Sequence, residues 1–151
     1  MNEKMLKDLI ERYEQASFTV NRRLNVLIRE MMPGELAVDQ FSILRYLCAS
    51  GRCTSSELSD TFCVGKSSIT AIIARLVDKC LIRRIPDGKD RRVTYLELTE
   101  EGSKVTGEME HKMHQLLTRY IAQFETQEAE TFISTFEKLA HVLNEERGAV
   151  K

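Results

Sequence analysis

Long apolar runs are missing from this chain of 151 residues, and no stretch approaches the roughly 18 apolar residues needed to cross a bilayer. Met1-Asn2-Glu3-Lys4 leads directly into an amphipathic pattern without the apolar core of a signal peptide, so a cytoplasmic location is expected. Only two prolines punctuate the sequence, and no internal repeat or low-complexity segment stands out. The four cysteines, Cys48, Cys53, Cys63 and Cys80, show no C-x-x-C spacing. This argues against a disulfide scaffold and for reduced thiols, with Cys48 and Cys80 expected to be packed. There is no Gly-rich phosphate loop, no pair of carboxylates in a recognisable cleft and no nucleophile with a partnered base. An enzyme is therefore not expected, and no cofactor is implied.

What is present is a soluble composition, 42% hydrophobic and 30% charged, with a formal net charge of only -1. The charge is unevenly distributed. From Gly65 to Arg92 eight basic residues (Lys66, Arg75, Lys79, Arg83, Arg84, Lys89, Arg91 and Arg92) face three acidic ones, a net +5. From Thr99 to Arg147 five basic residues meet ten acidic ones, a net -5. A basic middle followed by acidic helices is the footprint of a polyanion-binding protein, although a solvated charged face gives the same pattern.

Apolar residues at helical spacing, from Met5, Leu6 and Leu9 through Leu27, Ile28 and Met31, predict one long helix that Pro33-Gly34 ends. A second helix is predicted from about Asp39 to Ser50, with Gly51 behind it. Thr54 and Glu57 have the spacing of a capping box, which starts a short helix to about Phe62. Cys63-Val64-Gly65 makes a tight turn, and Ile69, Ile72, Ile73 and Leu76 stripe a helix from Lys66 to Lys79. The period then changes. Segments 81–85 and 93–98 are rich in strand formers and flank the polar loop 86–92, which predicts a β-hairpin with a charged tip. Thr99 caps a further long helix whose stripe runs from Val105 to Phe124, and Phe132 to Leu143 marks the last.

Two helices, a turn, a third helix and a basic hairpin make a winged helix-turn-helix. The helix from Lys66 can enter a major groove with Lys66, Ser67, Ser68, Thr70, Ala71 and Arg75 outward, mostly small or hydrogen-bonding residues. The hairpin tip carries Lys89, Asp90, Arg91 and Arg92. Arg92 can insert into a minor groove, and Asp90, two residues earlier, can brace it in an extended pose.

These residues also carry a resemblance. Ser56-Glu57-Leu58, Val64-Gly65-Lys66-Ser67-Ser68-Ile69-Thr70, Leu76-Val77-Asp78-Lys79, Leu81-Ile82-Arg83-Arg84, Asp87-Gly88-Lys89-Asp90-Arg91-Arg92-Val93 and Leu98-Thr99-Glu100-Glu101-Gly102 resemble the DNA-binding core of the multiple-antibiotic-resistance regulator (MarR) family. The flanking long helices fit the same pattern. The resemblance implies an obligate homodimer interlocked through the first and last two helices. It puts the family's wing arginine and its aspartate brace on Arg92 and Asp90. Gly65 departs from the serine that often caps the recognition helix there, and Cys63 is unusual in this turn.

The expected fold is thus mainly α with a small β-hairpin: a dimerisation helix over 1–34, a winged helix-turn-helix over 35–98 and C-terminal dimerisation helices over 99–151. The expected function is a dimeric regulator, a repressor by family habit, that reads double-stranded DNA through helix 66–79 and wing 86–92. The resemblance implies a signal that modulates it, whether a small ligand, a metal or thiol oxidation. An organic effector would sit near Tyr13, Phe18, Arg22, Phe41 and Arg45, which serve equally well as core and surface residues. His111 and His114, one helical turn apart with Glu110 beside them, are the only weak metal candidates, and surface histidines look the same. Cys63, near Lys66, is the one candidate reactive thiol, although an incidental thiol reads identically. A winged helix used for protein contact is the competing reading, and the basic segment argues against it.

Overall fold

The computed structural model describes residues 1–149 and builds them from helices α1 (Glu3–Met31), α2 (Val38–Ser50), α3 (Ser55–Phe62), α4 (Lys66–Asp78), α5 (Glu100–Ile121) and α6 (Thr126–Ala149), with strands β1 (Cys53–Thr54), β2 (Ile82–Pro86) and β3 (Thr94–Leu98). Residues 150 and 151, the end of the anticipated C-terminal segment, lie outside the described residues. The chain forms two units, Met1–Lys112 and Met113–Lys151.

In the first unit α1 starts where the Asn2 side chain accepts the Met5 N–H at 2.8 Å, and it runs for 29 residues without burying one of them. The chain leaves it through Met32 and Pro33 and turns at Gly34, whose φ of 57° lies in the left-handed region. The core lies under α2, α3 and α4. Ile43, Leu44, Leu58, Ile69, Leu76 and Ile82 are each at most 2% exposed there. Tyr46 and Phe62 meet edge to face with ring centroids 5.8 Å apart, which fastens α3 to α2.

The sequence predicts a two-stranded hairpin, and the structure adds a third strand. The sheet order is β1-β3-β2, all antiparallel, with Cys53 opposite Leu96 and Ile82 opposite Leu98. β1 is only two residues long, too short for any periodicity to register. Leu96 turns inward at 3% exposure, and Arg83 and Glu97 pair directly across the strands on the outer side.

A junction behind α4 holds the hairpin and α5 together. Cys80 adopts a left-handed conformation (φ 59°) that ends the helix. The Leu81 carbonyl accepts the Thr99 N–H at 3.1 Å, and the Thr99 hydroxyl donates to the Cys80 carbonyl at 2.6 Å. That same hydroxyl oxygen accepts the Gly102 N–H at 3.0 Å, so the expected cap on α5 is in place. Gly102 lies so close to β2 that an added Cβ would overlap the Leu81 carbonyl oxygen and sit 2.9 Å from its carbon.

In the second unit the helix stops sooner than its apolar stripe suggests. α5 ends at Ile121, and Phe124 belongs to the following turn, where its N–H bonds the Ile121 carbonyl at 3.0 Å. The Glu128 carboxylate accepts the Glu125 N–H at 3.1 Å and begins α6. Phe132 and Phe136 stack at 5.6 Å on a face that is exposed. Among the described residues no helix is long and apolar enough to cross a membrane.

The junction makes a paired prediction. Gly102→Ala, which must move backbone to fit, lowers stability by about 3 kcal/mol in urea unfolding. Gly107→Ala, on the same helix with nothing within 4 Å of the new Cβ, raises it by up to about 1 kcal/mol.

Candidate nucleic-acid interface

Each part of the interface is set by local chemistry. The Thr54 hydroxyl accepts the Glu57 N–H at 3.2 Å while the Glu57 carboxylate accepts the Thr54 N–H at 2.7 Å, and this reciprocal cap starts α3. α3 stops at Cys63, whose φ of 55° and ψ of 36° are left-handed. The turn is locked from within, because Ser59, 8% exposed, donates its hydroxyl to the Val64 carbonyl at 2.6 Å. Gly65 then begins α4 with extended backbone and no side-chain cap. The first N–H groups of α4 are consequently not taken by a capping side chain, and the helix dipole adds positive potential at that end.

Ile69, Ile73 and Leu76 bury one face of α4, and Ile72 is half-buried. Lys66, Ser67, Ser68, Thr70, Ala71 and Arg75 are all exposed on the remainder. The Thr70 hydroxyl donates back to the Lys66 carbonyl at 2.7 Å, so outward it offers its methyl group and an acceptor oxygen. The face combines three hydroxyl-bearing side chains, the methyl groups of Thr70 and Ala71 and two cations, and its one acid, Asp78, is the last residue of the helix.

In the hairpin tip, Lys89, Arg91 and Arg92 are exposed and Asp90 is half-buried. One carboxylate oxygen of Asp90 accepts the Arg92 backbone N–H at 3.0 Å and its Nε–H at 3.3 Å. The Arg92 side chain is 91% exposed, so the brace orients it without covering it. The loop closes through the Asp87 N–H to the Val93 carbonyl at 2.9 Å and the Val93 N–H to the Asp90 carbonyl at 3.1 Å.

Two basic residues of the segment do other work. Lys79 turns inward and donates to the Glu35 carbonyl at 2.9 Å and to Gln40 Oε1 at 2.7 Å. Arg83 is neutralised by Glu97. Arg52, outside the basic segment, lies over the Tyr95 ring at 4.7 Å.

The geometry matches known proteins. The MarR family model matches residues 36–94. An HTH-type transcriptional regulator of Bacillus subtilis, YpoP, is 33% identical over 112 residues, which span 74% of this chain and 79% of the relative. The chain belongs to the MarR family. A MarR family protein from Bacillus stearothermophilus has the same fold, with a TM-score of 0.79 at 24% identity over 95% of this chain and 99% of its own. A mutant MarR from Escherichia coli solved with operator DNA matches at a TM-score of 0.72 and 23% identity, over 87% and 96% of the two chains. This chain is accordingly a DNA-binding transcriptional regulator of the MarR family and not an enzyme.

Other residues singled out in the sequence fall in several places. Phe41 is buried at 2% exposure, and Arg45 lies over its ring at 5.7 Å while pairing with Glu110 at 3.7 Å. Phe18 and Arg22 form a separate pair on α1 at 5.3 Å, and Tyr13 is exposed on the same helix. None of these five lines the cavity of about 310 Å³ formed by Pro33, Gly34, Glu35, Leu36, Lys79, Leu81, Glu101 and Val105. His111 and His114 are both exposed on α5, and among the described residues no group of three or more His, Cys, Asp or Glu side chains is arranged to hold a metal. Cys63 is exposed as expected, but Cys48 and Cys80 are exposed too, against the expectation of packing. Cys48 sits in the last turn of α2, beyond Leu47, the last residue that the helix buries, and Cys80 lies in a left-handed turn that leaves its side chain exposed. The packed thiol is Cys53, whose pKa burial and then the Glu57 carboxylate push from 9.0 to about 11.

The buried thiol has a consequence for stability. Between pH 9 and about 11 the unfolded chain releases the Cys53 proton while the folded chain keeps it, so the native state loses stability as pH rises through that window. Urea unfolding at pH 8 and pH 10.5 will show a larger loss for the natural chain than for Cys53→Val.

Proposed function

We propose that the chain works as a homodimeric repressor. Two copies of α4, about 34 Å apart, enter successive major grooves of a pseudo-palindromic operator, and the two wings reach the flanking minor grooves. The observation that carries this reading is Arg92, braced by Asp90 yet 91% exposed, together with an α4 face whose only acid, Asp78, is the last residue of the helix. The operator complex of the related Escherichia coli protein supports the assignment of DNA as the ligand.

In this reading Lys66, Ser67, Ser68 and Arg75 hold phosphates and base edges, and Thr70 and Ala71 offer methyl groups of the kind that pack on thymine. Lys89 and Arg91 neutralise phosphates beside the wing, and Asp90 keeps Arg92 extended. Residues 1–34 and 99–151 supply the dimer interface. The support is the apolar surface they leave uncovered, with Leu6, Leu9 and Ile10 at 38–48% exposure on α1 and Phe132, Phe136 and Leu143 at 56–61% on α6. A repressor acting on the chromosome belongs in the cytoplasm. A signal that changes the spacing of the two DNA-reading lobes releases the operator, and Tyr13, Phe18, Arg22, Phe41 and Arg45 are the residues proposed to meet an organic effector.

Fluorescence anisotropy with duplex DNA from upstream of the protein's own gene, in a salt series, tests the reading. Affinity is expected to fall steeply with salt. Arg92→Ala is expected to weaken binding by roughly tenfold or more, and Asp90→Ala by less, because the cation remains but loses its brace. Salt-insensitive binding, or equal binding to a scrambled duplex and to every selected sequence, would rule the reading out. Sedimentation equilibrium is expected to give twice the chain mass, and a stable monomer would remove the two-lobe mechanism.

A further inference from the structure

Lys79 sits in the basic segment and by composition belongs with the phosphate-binding residues, yet its ammonium points the other way. It follows the last residue of α4 and donates two hydrogen bonds, to the Glu35 carbonyl at 2.9 Å and to Gln40 Oε1 at 2.7 Å. Gln40 is 3% exposed, and its Oε1 also accepts the Ala37 N–H at 3.4 Å. One side chain therefore ties the end of α4 to a backbone carbonyl of the loop that continues α1 and to the Gln40 side chain in the first turn of α2.

Apolar packing fixes α4 against α2 through the core, but it leaves a gap between the end of α4 and the loop that continues α1. The cavity of about 310 Å³ lies between the loop and the end of α4, with Pro33, Leu36, Leu81 and Lys79 on its walls. The two charge-assisted hydrogen bonds span it. The ammonium also lies at the negative end of the α4 dipole, which favours its placement there. The other charged groups facing it are the Glu35 and Glu101 side chains on the same cavity wall.

We infer that Lys79 is a positioning residue for DNA recognition: it holds the α4 helix at a fixed offset from the end of α1 and so sets which half-site spacing the protein accepts. The inference rests on the proposed dimeric reading, in which α1 belongs to the dimer interface and α4 to the major groove. Lys79 then contributes to affinity without touching phosphate. Its loss lets α4 shift against α1 and blurs the register between the two recognition helices.

The test uses the full chain and an operator selected from random duplexes, together with versions of that operator carrying one base pair more or fewer between the half-sites. Two variants are compared with the natural chain after circular dichroism has confirmed folding. Lys79→Met keeps the apolar stem and removes the ammonium, and Gln40→Leu keeps the ammonium and removes its acceptor. Both are expected to bind the selected operator roughly tenfold more weakly. Both should also lose much of the preference for the selected spacing while keeping the natural salt slope. A salt slope reduced by about one in Lys79→Met, with Gln40→Leu unchanged, would make Lys79 a phosphate contact and overturn the inference. Spacing preference intact in both variants would overturn it as well. Failure of the natural chain to bind any duplex would instead remove the DNA-reading mechanism on which the inference stands.

Discussion

The burial of one face of α4 decides what the rest of the molecule can do. Ile69, Ile73 and Leu76 are each at most 3% exposed, against a core supplied by α2, α3 and β2. A helix held by three side chains at that spacing cannot rotate without breaking the core, so the opposite face is fixed in direction. Every other feature of the interface is a refinement of that constraint. The locked turn at Cys63–Gly65 sets where the helix begins, and the Cys80–Leu81 junction sets where it ends. The hairpin leaves that junction at a defined angle, because Thr99 and Gly102 close on the same backbone.

Electrostatics follows the same division. The chain as a whole is nearly neutral, yet the basic excess lies between Gly65 and Arg92, while the acidic excess lies on the C-terminal helices. Of the eight basic residues in the segment, Lys79 and Arg83 are already engaged by internal partners. The charge available to a polyanion is therefore smaller than the composition suggests and more narrowly focused. Of the two carboxylates in the wing, Asp90 serves to orient a cation.

What could be read from the sequence was what local chemistry determines. The Thr54–Glu57 cap, the stripe of α4, the cap at Thr99 and the Asp90–Arg92 pair each involve residues within a few positions of one another, and the structure has all of them. Contacts made across the chain were not legible. β1 exists only because Cys53 and Thr54 meet β3, more than forty residues away, and the two-residue strand has no pattern of its own. Lys79 finds partners 39 and 44 positions earlier, so nothing beside it in the sequence distinguishes it from a phosphate-binding lysine. Phe124 continues an apolar stripe that the backbone has already abandoned. The candidate effector residues separate into distinct pairs for the same reason: periodicity gives the face of a helix and not the neighbour it meets.

Hydrogen–deuterium exchange of the protein with and without its selected operator tests the central claim most directly. The uncapped N–H groups at the start of α4 should exchange quickly in the free protein and become protected in the complex, together with the wing around 88–93. Protection confined to α1 or α6, with the start of α4 and the wing unchanged, would contradict the account.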